Sequence, residues 1–249
     1  MKTLLIIVVI VAVALIIANV VRNRGARTTA LSDAQADARA AIDRLAGQVN
    51  NLVGSNDAAR QALADAGERY TAAGAQVGGA NTPAQARLAK QTALEGLYYA
   101  RAARVAMDMD PGPPIPELDG QRSAGSVSED RSVEVEGRTL DASPAPSDRT
   151  PNYYPGGVVA GRPVPAGWYS EPWWKPALVA GAWGVGSYLL FSSMFAGMAG
   201  VGPTVLADPG VDGALDSGTD GGWDSGSDGG FGGDSGFGDF GGGGDFGGF

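Results

Sequence analysis

Cysteine and histidine are both missing from the 249 residues. Their absence excludes disulfides, Cys/His zinc sites, thiol nucleophiles and histidine acid–base chemistry together. Lysine is scarce, three against fifteen arginines, and with abundant Ala, Gly and Asp this bias points to GC-rich bacterial coding. No basic patch gathers that would suggest nucleic acid. From residue 176 onward positive charge disappears and nine aspartates stand alone. Residues 1–27 carry four basic side chains and no acid, whereas residues 28–175 carry 14 basic and 18 acidic ones. The net charge of −9 is thus set by the end of the chain and not by its middle.

Motifs with known chemistry are absent as well. The glycine-rich stretches lack the strand–loop–helix context and the Lys-Ser/Thr ending of a phosphate-binding loop. Asp108 and Asp110 stand two apart in "DMDPG", but without the further oxygen ligands a divalent cation needs they read as turn residues. Lys90 and Lys175 have no flanking motif that would make a Ser–Lys pair. No catalytic residue, metal or cofactor is expected, and the chain reads as non-enzymatic.

Long uncharged runs are present, two of them. "LLIIVVIVAVALIIANVV" (Leu4–Val21) would extend about 27 Å as a helix, near the roughly 30 Å of a hydrocarbon core. Its length, and small residues inside rather than after the run, favour an uncleaved anchor over a signal peptide. Residues 177–207 are also uncharged, with small residues four apart and Trp168, Tyr169, Trp173 and Trp174 ahead of them, as interfacial aromatics stand. These features predict a two-pass plasma-membrane protein with transmembrane helices at 1–27 and 176–203. Arg and Lys counts near the spans place the middle in the cytoplasm and the tail outside.

Between the runs, residues 28–110 predict three Ala-rich helices. Ser32 and Gln35 form a capping-box pattern, followed by Ala38, Ile42, Leu45, Val49 and Leu52 at 4-3 spacing. A second stripe runs Ala59, Leu63, Ala66, Tyr70, Ala73 and Val77. The third helix opens at Thr82-Pro83 with Gln85 and carries Leu88, Leu94, Leu97, Tyr98, Ala102 and Val105 before "DPGPP" stops it. Such stripes suit a coiled coil or a small antiparallel bundle. With so few large aliphatic residues, either the core is completed by a protein partner or by self-association, or the bundle is self-sufficient and holds the anchors apart. Leu63, Tyr70, Leu94 and Tyr98 are the expected partner-binding residues.

Residues 111–175 read as a Pro/Ser/Gly-rich linker with one short hairpin, "SVEVEGRTL", turning at Gly137, and an aromatic juxtamembrane stretch. In residues 204–249 aspartate recurs every four positions from Asp208 to Asp228, and Phe follows at 231, 237, 240, 246 and 249. "GGFGGD" begins a calcium nonapeptide repeat but fails at Gly236. Composition predicts a disordered acidic tail there.

The stretches "ALEGLYYARAARVAMDMDPGPPIPEL" and "YYPGGVVAGRPVPAGWYSEPWWK" resemble those of uncharacterised, actinobacterial two-pass membrane proteins with an Ala-rich helical segment and a Gly-rich acidic C-terminal tail. The resemblance implies architecture and no site. The fold expected is mainly α: two transmembrane helices flanking a small antiparallel helical bundle, with a linker and a disordered tail. The function expected is a non-enzymatic integral membrane scaffold or adaptor, in one version an envelope-stress accessory. Its partners would be the lipid bilayer and a protein docked by the helices, without nucleic acid. The alternative is a surface-exposed helical module with a cytoplasmic tail.

Overall fold

The computed structural model describes residues 2–135, 137–184 and 187–202, and for residues 2–18, 20, 21, 23, 187 and 188 the backbone alone. Three long helices come first: α1 (Lys2–Asn51), α2 (Asp57–Gly79) and α3 (Pro83–Ala106). Local capping chemistry fixes two of the starts. Asn56 accepts from the Ala59 N–H at 2.8 Å to open α2. Thr82 and Gln85 form a reciprocal box with Pro83 in the first turn of α3. The box expected at Ser32 is not formed, because α1 runs through it without a break. Gln35 instead donates to the Ala80 carbonyl at 2.9 Å, at the end of α2.

Small side chains let these helices approach closely. Ala38, Leu45, Ala66, Ala73, Ala89, Ala93 and Ala100 are fully buried in their seam. At Gly96 of α3 an added Cβ would lie 2.4 Å from a Leu45 methyl, so nothing larger than glycine fits against α1 without movement.

The segment expected to be a linker is largely folded. A short helix α4 (Gln121–Ala124) precedes six strands: β1 (Arg131–Val135), β2 (Arg138–Ser143), β3 (Asn152–Tyr154), β4 (Gly157–Val159), β5 (Arg162–Val164) and β6 (Gly167–Tyr169). Four of them form an antiparallel sheet in the order β1-β2-β6-β3, while β4 and β5 pair separately. The β1–β2 hairpin lies at the alternating stretch around Val133 and Val135, and Gly137 supplies the positive φ of its turn. The β4–β5 turn is Ala160-Gly161, both with positive φ, the pattern of a two-residue type I′ hairpin.

Strand alternation then divides the aromatics between two cores. Trp168 faces the helices and packs among Ala58, Ala59, Ala62, Ala102 and Ala103, with Tyr153 beside it at 5.0 Å between ring centroids. Their sequence neighbours Tyr169 and Tyr154 face the other way, onto Trp174 at 5.1 and 5.0 Å. That second core also holds Leu140, Val159, Val164, Phe191, Met194 and Phe195. The sheet is the middle layer between the long helices and two short ones, α5 (Lys175–Ala180) and α6 (Ser187–Phe195).

This arrangement overturns the expected fold class and location. The described residues combine helices with antiparallel sheets and are not a pure helical bundle or a coiled coil. Among them, no helix is long and apolar enough to cross a membrane. The second apolar run is divided into α5 and α6, six and nine residues long, with Gly181 closing α5 in the left-handed region. Ala177, Leu190, Phe191, Met194, Phe195 and Met198 of this run serve the core behind the sheet, while Val179 and Leu189 are exposed. Tyr169 and Trp174 are buried in that same core and Trp168 against the helices, instead of marking a lipid interface. The two-pass plasma-membrane arrangement is therefore corrected. Within Leu4–Val21 the side chains of residues 4–18, 20 and 21 lie outside the described residues. So does the whole of residues 203–249, which include the disordered acidic tail expected at 204–249.

Trp168→Ala is expected to destabilise the protein by about 3–5 kcal/mol, the usual consequence of emptying a large buried aromatic site. Trp168→Phe should cost less. Urea unfolding followed by far-ultraviolet circular dichroism measures both, and an alanine variant as stable as the parent would refute the packing role.

Candidate functional site: an arginine-lined cleft on the helices

Where "DPGPP" stops α3, the chain turns back along the bundle. Asp108 adopts a positive φ, and the Asp110 carboxylate accepts from the Gly112 N–H at 2.7 Å. Arg104 Nε donates to the Asp110 carbonyl at 2.5 Å, and the Tyr98 hydroxyl donates to the Ile115 carbonyl at 3.4 Å. These bonds hold residues 111–115 over the seam of α1 and α3 and leave a cleft of about 280 Å³.

Three arginines line it: Arg44 from α1, and Arg101 and Arg104 from α3. Asp43 is the one carboxylate among the lining residues, and Leu97, Ile115 and the prolines 111 and 113 supply apolar walls. Arg104 sits in the last turn of α3, where a cation also offsets the helix dipole. Its Nη1 donates to Gln48 Oε1 at 3.4 Å. The dipole accounts less well for Arg44, which lies seven residues before the end of α1. Neither Arg44 nor Arg101 is in an ion pair among the described residues. The cleft thus presents excess positive charge beside apolar surface, an arrangement that binds anions carrying an apolar body.

The opposite face of α3 has a different character. Glu95 and Tyr99 lie about 120–160° around the helix from Leu97 and Arg101, given roughly 100° per residue. There, Arg69 of α2 pairs with Glu95 at 3.2 Å and reaches the Tyr99 hydroxyl. Buried Asp65 receives Lys175, at the start of α5, at 2.8 Å, with Gln61 3.4 Å from its other oxygen. Burial pushes the Glu95 carboxyl above its ordinary value, with Arg69 pulling it back and Asp65 adding to the rise. Burial, then Glu95 and Asp65, raise the Tyr99 phenol well above the usual range, and burial takes Tyr153 up to about 12. These hydroxyls stay neutral. The network ties α2, α3 and α5 together and so fixes the wall on which the cleft is built.

The expected partner-binding residues are dispersed. Leu63 is half-buried against the Trp168 cluster, and Leu94 is buried in the helical core. Tyr70 is exposed on α2, at 37%. Tyr98 alone adjoins the cleft, through its bond to the lip at Ile115. Asp110 is engaged in the turn, Lys90 pairs with Asp37 at 2.9 Å, and Lys175 is bound to Asp65. No three acidic side chains gather to hold a metal among the described residues. The arginines escaped the sequence reading. Their only signal is Arg101 and Arg104 one turn apart immediately before a helix-stopping "DPGPP", and Arg44 joins them only once α1 packs on α3.

No protein-family model, curated protein or solved structure matches this chain.

Glu95 holds its proton more tightly in the folded than in the unfolded chain. The stability it contributes is therefore complete below about pH 4.5 and is lost as pH rises through its folded value. Glu95→Gln should flatten that decline in thermal melts recorded from about pH 4.5 upward. Equal slopes in parent and variant would place the titration on another group.

Proposed function

We propose that this chain is a non-enzymatic docking module, an adaptor that recruits a protein partner through its helical face. The observation that carries the reading is the cleft of Arg44, Arg101 and Arg104, in which charge is offered without an internal carboxylate to satisfy all of it. Absence of Cys and His from the whole sequence also favours binding over turnover. The buried ionic groups nearest the cleft are bonded to one another: Arg69 with Glu95 holds α3 against α2, and Lys175 with Asp65 ties the start of α5 to α2.

In-cell photocrosslinking tests it. A photoreactive residue at Val105, exposed on α3 one turn beyond Arg101, should yield a discrete adduct with the parent chain. The double variant Arg44→Glu, Arg101→Glu should lose that adduct while keeping its melting temperature. Tyr70→Glu, on α2 away from the cleft, should keep it. An adduct that survives the double charge reversal would overturn the reading.

A further inference from the structure

We infer that the cleft receives a peptide segment in which acidic residues alternate with or adjoin large apolar ones; this rests on the docking reading above. The carboxylate requirement comes from the three guanidinium groups. Arg104 is pre-set by the Asp110 carbonyl and Gln48, and the planar fork of arginine matches two carboxylate oxygens at once.

Size argues for side chains of a longer partner. The space of about 280 Å³ lies at or below the lower end for enclosing a whole small ligand, roughly 300–1,000 Å³. It suits one or two anchoring residues.

The apolar requirement comes from the apolar walls of the cleft, Leu97 and Ile115, and from exposed side chains at the end of the bundle near it. Val53, Val105 and Met109 are 85%, 42% and 41% exposed. They stand at the same end of the bundle as Arg104. Asn56 of the α1–α2 turn donates to the Ala106 carbonyl at 2.6 Å, and the Met109 N–H donates to the Arg104 carbonyl at 2.9 Å. A small inorganic anion would leave these three side chains in water. An acidic–apolar peptide seated on the arginines would cover them, and charge complementarity would set its register.

The experiment uses the full chain and fluorescence anisotropy with a fluorescein-labelled peptide of repeated Glu-Leu. Two matched peptides carry Gln-Leu or Glu-Ser repeats. Glu-Leu should bind, each matched peptide should bind about tenfold more weakly or worse, and Arg44→Gln with Arg101→Gln should weaken Glu-Leu by a similar factor. Equal binding of Gln-Leu would make the site merely apolar, and equal binding of Glu-Ser would make it merely cationic; either overturns the inference. Displacement by millimolar inorganic phosphate alone would assign the arginines to a small anion and overturn it too. So would no binding of Glu-Leu. If Glu-Leu fails while the Val105 adduct still depends on the arginines, only the ligand class falls. If the adduct is indifferent to them, the docking reading falls.

Discussion

The contact between the Trp168 indole and an alanine floor is the constraint on which the rest of the structure depends. Five alanines, Ala58, Ala59 and Ala62 on α2 with Ala102 and Ala103 on α3, leave a depression that only a large flat side chain can fill. The helices have too few large aliphatic residues to make a strong core alone, so the sheet supplies the bulk they lack. One strand, β6, does this from both sides: Trp168 toward the helices, Tyr169 toward Trp174 and Phe195. Because the two side chains are adjacent in sequence, a slip of one residue in the pairing of β6 would exchange the two cores.

Packing of this kind sets distance but leaves orientation open, since alanines and an indole slide easily over one another. Ionic contacts within and between the layers close that gap. Lys175, at the start of α5, reaches across to Asp65 of α2, and Arg69 to Glu95 joins α2 to α3. Buried ion pairs add little net stability, but removing one partner leaves a stranded charge, so they penalise misalignment. The same contacts hold α3 steady while its other face offers arginines to solvent.

Some of this was legible in the sequence. Thr82-Pro83 with Gln85 signals the start of α3 through local hydrogen bonds alone, and Gly137 after the alternating Val133 and Val135 signals the β1–β2 turn. Strands β3 to β6 were not legible, because three residues such as Gly167-Trp168-Tyr169 carry no measurable period. The second apolar run was misread for a physical reason. A sequence rich in Phe, Met, Leu and Gly without charge satisfies lipid and a protein core alike; Gly181 and the sheet opposite decide between them. The aromatics before it mislead in the same way, since Trp174 buried at 1% exposure and Trp at a bilayer edge look identical in one dimension. The arginine cleft requires α1, α3 and the returning segment together, so its residues become neighbours only in three dimensions.

The stacking of Trp168 has an optical consequence. Its neighbours Ala102 and Ala103 fall between Arg101 and Arg104 in sequence, and Met107 lies beside the ring as well. The indole therefore looks onto the back of the helical turn whose front carries two of the cleft's cations. A shift of that turn's backbone would therefore change the surroundings of Trp168, and with them its contribution to the emission of the chain's five tryptophans, without a dye attached anywhere.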